Sequence, residues 1–293
     1  MSIKIAYIGC VKMSDSILQS IFKNNKAQIT GIVTKKESNF NSDFLSLEKY
    51  GLEKNIPVHI SNSKNDEEFF LKSLNPDVIF CFGWSKILSS TILSIPRLGC
   101  IGYHPTCLPS NRGRHPIIWT IALGLDKTAS TFFKMDSSAD SGPILSQKII
   151  QLEKGTNASK LYSILTENAI KQVKKIIDTL DQGDIKFNAQ PKEANSWRLR
   201  NEEDGKIDWR MTADAIQCLV NSLSHPYLGA HCIYGQENVK IWEVEIGPYF
   251  NDNIEPGKIL SNQDGKLLVK CWKGSVKILD HNFSVLPEVG VYI

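Results

Sequence analysis

The chain has 293 residues, 42% hydrophobic and 22% charged, which suits a main domain plus a smaller one and excludes a disordered or fibrous protein. A formal net charge of +3 argues against a membrane-surface helix, and against a polyanion binder unless a local basic patch supplies the charge. No apolar segment approaches the roughly 20 residues of a membrane span, and the opening MSIKIAYIG follows a buried-strand pattern without the charged start and cleavage site of a signal peptide. The expected compartment is the cytoplasm, with no membrane partner. Seven cysteines, at 10, 81, 100, 107, 218, 232 and 271, include no CxxC pair. Several lie in apolar runs such as VIFCFGW and AIQCLV and read as reduced core residues.

In chain order, Ile3–Gly9 is a β-branched run ending in glycine, and Ser14 is expected to cap a helix in which Ile17, Leu18, Ile21 and Phe22 recur at helical spacing. Residues 28–34 read as a second strand. Residues 43–54 read as a helix with Phe44, Leu45, Leu47 and Leu52 inward, and 66–74 as another, broken at Asn75-Pro76-Asp77 before the apolar strand Val78–Phe82. Such alternation predicts an α/β fold, a Rossmann-like and mostly parallel sheet with helices on both faces. The strand at 100–103 delivers His104 into a loop punctuated by Pro105, Pro109, Gly113 and Pro116, where a helix starts. ASTFFKM and ILSQKIIQL read as strands flanking a tight loop at 136–142. Thr156 or Asn157 then caps a long helix whose apolar residues, from Leu161 to Ile177, fall at intervals of three and four. Residues 184–208, polar and carrying Trp197, Arg198 and Arg200, are expected to connect a domain over 1–183 to a small one over 209–293 and to form part of the acceptor site. In the small domain Ala213–Leu223 reads as a helix, 225–229 as a turn, and VKIWEVEI, GKIL, LLVKCW and SVKIL as short strands.

Gly9 is not part of a G-x-G-x-x-G fingerprint and no G-x-x-x-x-G-K-[ST] occurs, which argues against NAD and ATP as cofactors. The six histidines show no zinc spacing, so no metal site is supported. Ligands of open parallel sheets bind beyond the carboxyl ends of the strands, which places the loop starting at Gly83 beside Tyr103 and His104. Histidine changes charge near neutral pH, so His104 can move a proton or, when charged, hydrogen-bond a developing oxyanion. Asp140 would fix the ring's tautomer or act through a water. The alternative for His104 is a structural residue hydrogen-bonded in a turn.

His104 with the following LPSNRGRHPIIW, and the later loop 136–142, resemble the signature of the folate-dependent formyltransferases. That family includes methionyl-tRNA formyltransferase, glycinamide ribonucleotide formyltransferase and the sugar N-formyltransferases. The resemblance covers most of the chain and is closest to sugar enzymes of pathways such as pseudaminic acid formation. It implies an OB-like C-terminal domain, 10-formyltetrahydrofolate as formyl donor, no metal, and His104 and Asp140 as catalytic residues. It further implies that Gly83, Trp84, Ser85, Lys86, Ile87 and Leu88 offer groups to the pterin ring, while Asp136, Ser137, Ser138 and Ala139 close the other side. Trp84 as a plain core aromatic is the alternative. Tyr103, Pro105, Asn111, Arg112, Arg114, Arg198 and Tyr227 are the candidate acceptor-site residues. The guanidinium groups suit a phosphate or the glutamate tail of a folate, or else stiffen their loops. Tyr227 stacks on a base or sugar, or is an ordinary hairpin aromatic.

One position departs from the family. Relatives place an asparagine two residues before the histidine, where its amide helps bind the formyl oxygen, and this chain has Gly102. Loss of an oxyanion donor lowers a rate by about 100- to 1000-fold. Three readings stay open: protonated His104 acts alone, a backbone N–H or Asn111 substitutes, or catalysis is lost. Residues 205–293 carry 8 Lys and Arg against 10 Asp and Glu, a net of −2, whereas a domain gripping tRNA should be basic. The expected acceptor is therefore a nucleotide-linked deoxyamino sugar rather than methionyl-tRNA. A non-catalytic folate or nucleotide-sugar binder and a formyltetrahydrofolate hydrolase are the other readings, and a homodimer is left open.

Overall fold

The computed structural model describes residues 2–38, 42–62, 64–248 and 253–293. Two compact units account for the chain: Met1–Pro116 with Thr128–Ile150 and Ser163–Trp197, and Ile117–Lys127 with Gln151–Tyr162 and Arg198–Ile293. Among the described residues no helix is long and apolar enough to cross a membrane.

The elements run β1 (Ile3–Gly9), α1 (Lys12–Phe22), β2 (Ala27–Thr34), α2 (Lys49–Lys54), β3 (Val58–Ile60), α3 (Lys64–Ser73), β4 (Val78–Phe82), α4 (Ser90–Ser94), β5 (Cys100–His104), β6 (Arg112–Gly113), α5 (Pro116–Ala122), β7 (Lys127–Lys134), β8 (Ile144–Gln151), α6 (Ala158–Gln182) and β9 (Ser196–Trp197). The main sheet has the order β3-β2-β1-β4-β5-β7-β8. Its pairings are parallel from β3 to β5, and β5 meets β7 antiparallel. Period-two alternation distributes the side chains of each strand to two faces. Ala6, Ile8, Ile79, Cys81 and Cys100 join Leu71 of α3 and Ile92 of α4 in one apolar cluster. The intervening residues turn the other way, where Tyr7 Oη donates to the Ser14 carbonyl of α1 at 2.7 Å and Phe82 meets Tyr7 and Phe132 edge-on at 5.7 and 5.3 Å. On α6, Gln172 Nε2 donates to the Ser130 carbonyl of β7 (3.1 Å) and to Ser146 Oγ of β8 (2.9 Å). The mostly parallel sheet with helices on both faces is thus present.

In the second unit come α7 (Ala213–Leu223), β10 (Ala230–Tyr234), β11 (Glu237–Ile246), β12 (Ile259–Gln263), β13 (Lys266–Lys270) and β14 (Ser275–His281). The strands form one antiparallel sheet in the order β10-β11-β14-β13-β12. Helix α7, capped by Thr212 Oγ1 accepting from Ala215 N, buries Ile216 and Val220 in a cluster with Ile241, Val269 and Ile278. The separate β-rich C-terminal part is present as expected.

Several local expectations are corrected. Ser14 does not cap α1: the helix starts at Lys12, and Ser14 Oγ is directed across to the Phe82 carbonyl at 2.6 Å. Only Lys49–Lys54 of the segment 43–54 is helical, and Leu52, expected inward, is 95% exposed. The preceding residues are drawn off into extended chain by Leu45 N on the Cys10 carbonyl and Leu47 N on Thr34 Oγ1, which leaves a helix of six residues whose outer side carries Leu52. The short elements β3, α4, β6, β9 and β10 had no counterpart in the expected order.

Gly9, at the end of β1, has no room for a side chain. A Cβ there would lie 2.7 Å from Ser14 Cβ and 2.9 Å from the Phe82 carbonyl oxygen. Gly9→Ala is expected to destabilise the protein by about 1–3 kcal/mol, read as a lowered urea midpoint, and an unchanged midpoint contradicts this packing.

Candidate active site

His104 is the last residue of β5, so the strand's pairing with β4 and β7 fixes its Cα while its side chain stands at the sheet's carboxyl edge. The residue is 5% exposed. Its ring is bracketed: Nε2 lies 2.8 Å from the Asn111 carbonyl, and Nδ1 lies 3.6 Å from Asp140 Oδ2. A carbonyl only accepts, so this contact is made by Nε2–H, and Nδ1 is the nitrogen that faces the carboxylate.

Asp140 reaches this position through a strained loop. Its φ is +54°, a region that L side chains rarely adopt. Asp136 Oδ1 accepts from Ser138 N (2.9 Å) and Ser141 Oγ (2.7 Å), closing the turn from inside. Lys134 N donates to the Pro143 carbonyl (2.9 Å), drawing the loop's ends together. The close approach requires glycine at 142, since any Cβ there would run into the Lys134 carbonyl. Asp140 Oδ2 also accepts from Gly113 N at 3.0 Å, tying this loop to the one after His104. Ser137, Ser138 and Ala139 are exposed.

The loop after β4 joins the same edge. Arg114 Nη1 donates to the Ser85 carbonyl at 3.0 Å. The Trp84 ring has Lys35 Nζ at 5.1 Å and Lys86 Nζ at 6.0 Å, each within cation–π reach. Trp84 also packs against the apolar cluster under α3 and α4, and its Nε1 is buried without a hydrogen-bond partner among the described residues. Leu88 is buried, whereas Gly83 and Ile87 are exposed.

The acceptor candidates scatter. Tyr103 points to the face of β5 opposite His104, with ring centroids 4.9 Å from Phe132 and 6.5 Å from Phe82 and its hydroxyl accepting from Ser130. Burial pushes its phenol well above the usual range. Pro105 is buried, and its carbonyl accepts from Thr128 Oγ1. Arg112 uses Nε and Nη2 on Gln190 Oε1, at 3.2 and 2.6 Å. Arg198 and Tyr227 belong to the second unit. There Arg198 pairs with Asp204 (2.7 Å), holding that carboxyl down at about 2, and the Arg198 and Arg200 guanidinium groups lie 5.2 and 4.6 Å from the Trp119 ring. Tyr227 packs against the second unit's core.

Asn111, considered as a substitute amide donor, is corrected. Its side-chain Oδ1 accepts from Asn195 Nδ2 at 2.9 Å, and only its backbone carbonyl meets the imidazole. Position 102, where the resemblance implies an asparagine, is crowded from β7 and the residue after it: a Cβ on Gly102 would lie 2.9 Å from Met135 Cγ and 3.0 Å from Phe133 Cζ. The residues that sequence reading passed over are Gln190 and Asn195. Neither lies in a periodic segment or a motif; the pairing of β9 with β6 and the bridge between Asn188 and Ile144 carry them to the site. Among the described residues no three His, Cys, Asp or Glu side chains are grouped to hold a metal ion.

Comparison with known proteins gives this edge a family. The profile of the formyl transferase family matches residues 4–177, and that of the formyl transferase C-terminal domain matches residues 200–285. The chain belongs to the formyl transferases. A methionyl-tRNA formyltransferase of Caldanaerobacter subterraneus subsp. tengcongensis is 30% identical over 285 residues, covering 94% of this chain and 91% of that one. Among solved structures, the N-formyltransferase from Helicobacter canadensis, in complex with folinic acid and dTDP-3-aminofucose, shares the fold at a TM-score of 0.70 and 17% identity, over 96% of this chain and 100% of its own. HypX from Aquifex aeolicus matches at 0.69 and 14% identity over 95% of this chain, which spans 45% of the HypX chain.

Gly102→Asn, which introduces the residue that the resemblance implies, is expected to destabilise the protein by about 1–3 kcal/mol through Met135 and Phe133. Adding Met135→Ala is expected to recover part of that loss. Chemical denaturation of the three variants checks this, and a Gly102→Asn protein as stable as the parent contradicts it.

Proposed function

We propose that this formyl transferase moves a formyl group from 10-formyltetrahydrofolate to the amine of a nucleotide-linked deoxyamino sugar, with His104 and Asp140 as its catalytic residues. The observation that carries the reading is the buried imidazole with one nitrogen fixed by a carbonyl and the other facing a carboxylate.

The chemistry needs an uncharged amine to attack the formyl carbon, a site for the negative charge that develops on the formyl oxygen, and a base for the proton leaving the nitrogen as tetrahydrofolate departs. His104 Nδ1 accepts that proton, the Asp140 carboxylate balances the charge the ring then carries, and the ring returns the proton to the folate nitrogen as its bond to the formyl carbon breaks. With Met135 and Phe133 crowding position 102 and Nε2–H held by the Asn111 carbonyl, the Nδ1–H gained in that transfer is the ring's donor to the oxyanion. The donor supplies the activated one-carbon unit. Its fit rests on the loop after β4, where the buried Trp84 Nε1 offers a hydrogen to a polar heterocycle and Lys35, Lys86 and Arg114 give a cationic rim suited to carboxylates.

For the acceptor, the net charge of −2 over residues 205–293 favours a small nucleotide over tRNA, because phosphate neutralisation supplies most of the affinity for a nucleic acid. The amino-sugar complex of the Helicobacter canadensis protein, on the same fold, supports this choice. The 30% identity to a methionyl-tRNA formyltransferase favours the second reading, formylation of charged initiator tRNA. A direct comparison separates them: purified protein is given 10-formyltetrahydrofolate with either dTDP- and UDP-linked amino sugars or methionyl initiator tRNA. Formamide on a sugar nucleotide, with the tRNA unmodified, is expected. The reverse result overturns the sugar assignment and leaves the transferase.

A further inference from the structure

Residues 190–197 cross the loops that hold His104, and two amide side chains do the holding. Gln190 uses its full hydrogen-bonding capacity there. Its Oε1 accepts from Arg112 Nε and Nη2 at 3.2 and 2.6 Å, and its Nε2 donates to the carbonyls of Asp140 and Gly142 at 2.9 and 2.6 Å. A primary amide has two acceptor positions and two donors, so none is left over. Asn195 treats Asn111 similarly: Oδ1 accepts from Asn111 N at 2.8 Å and Nδ2 donates to Asn111 Oδ1 at 2.9 Å. Backbone bonds complete the crossing, with Arg112 N on the Asn195 carbonyl and Arg114 N on the Trp197 carbonyl.

The two residues gripped in this way share two properties. Asn111 and Asp140 both stand at positive φ, +66° and +54°, where the backbone needs an external hold to persist. Each also faces one nitrogen of His104, Asn111 through its carbonyl and Asp140 through its carboxylate. One short segment thus fixes both sides of the imidazole.

We propose that Gln190 is a positioning residue for formyl transfer, acting through Asp140: its Nε2 pins the carbonyls on either side of Ser141 and so holds the Asp140 carboxylate at His104 Nδ1. The inference rests on the reading of His104 and Asp140 as the catalytic pair. Two variants divide the amide's functions. Gln190→Met keeps the length and loses every hydrogen bond, while Gln190→Glu keeps the acceptor for Arg112 and sets a carboxylate against two carbonyl oxygens. A role confined to anchoring Arg112 survives in the glutamate variant, whereas a role in holding Asp140 does not.

The test has a readout that does not depend on turnover. In protein labelled with 15N-histidine, His104 (assigned by its absence in His104→Ala) is expected to show the Nε2–H tautomer. Gln190→Met and Gln190→Glu are both expected to shift its ring-nitrogen signals as Asp140→Ala does, and adding Gln190→Met to Asp140→Ala is expected to change nothing more. With a dTDP-linked amino sugar and 10-formyltetrahydrofolate, kcat in either Gln190 variant is expected to fall roughly 10- to 100-fold with KM for the donor little changed, the scale of a misplaced catalytic group. Gln190→Glu carries the test if the methionine variant does not fold. His104 signals unchanged in the Gln190 variants, or a shift equally large in the Asp140→Ala background, overturn the proposal. Should the spectral cycle hold while the wild type transfers no formyl group, the functional reading fails and the positioning role stands. Should Asp140→Ala abolish transfer while Gln190→Met and Gln190→Glu leave it intact, the positioning role alone fails.

Discussion

The structure turns on an imidazole that is held at both nitrogens by backbone-strained neighbours. His104 can be placed by β5 alone, because the strand is locked into the sheet on both sides. Its partners cannot: Asn111 and Asp140 each require a left-handed backbone. Much of the surrounding detail supports those two positions. Glycine at 142 allows the chain to pass the Lys134 carbonyl, Asp136 closes its own turn, and Gly113 N reaches Asp140. Amides 190 and 195 approach from a distant part of the sequence. Strain at a site of this kind persists only when the surroundings over-determine it, and here hydrogen bonds from three separate stretches of chain do so.

What the sequence conveys well is whatever depends on local pattern. The buried strands Val78–Phe82 and Cys100–His104 announce themselves as apolar runs, Asn157 caps α6 through Lys160 N, and the helix after Pro116 starts where proline allows it. Segment 43–54 misleads because leucines at helical spacing also suit an extended chain that hands its N–H groups to Cys10 and Thr34. Strand β9 is two residues long and has no period to detect. Glycine where the resemblance implies an asparagine is visible at 102, but that its space is closed rather than open follows from the register that sets Phe133 opposite it and Met135 beyond. Gln190 is illegible for the same reason: its meaning lies in a contact across 50 residues of chain.

The closed space at Gly102 bears on the chemistry. An open gap could admit water as a substitute donor, whereas a thioether and a phenyl ring exclude it. Under the proposed function, His104, two residues on, then serves both as base and as donor to the oxyanion. The buried cysteines beside it take no part. Burial pushes Cys81 upward and Cys100 to about 12, so both stay protonated and pack as small apolar groups.

The most direct measurement is single-turnover formyl transfer by His104→Asn, Asp140→Asn and the double variant, with folding verified for each. Removal of a general base lowers the rate by about 10²- to 10⁴-fold. The two single variants are predicted to fall in that range, and the double variant to fall no further than the worse of them, because the pair works as a unit. Single variants within about twofold of the parent would contradict the account, since so small a change lies far below what loss of the proton carrier must produce.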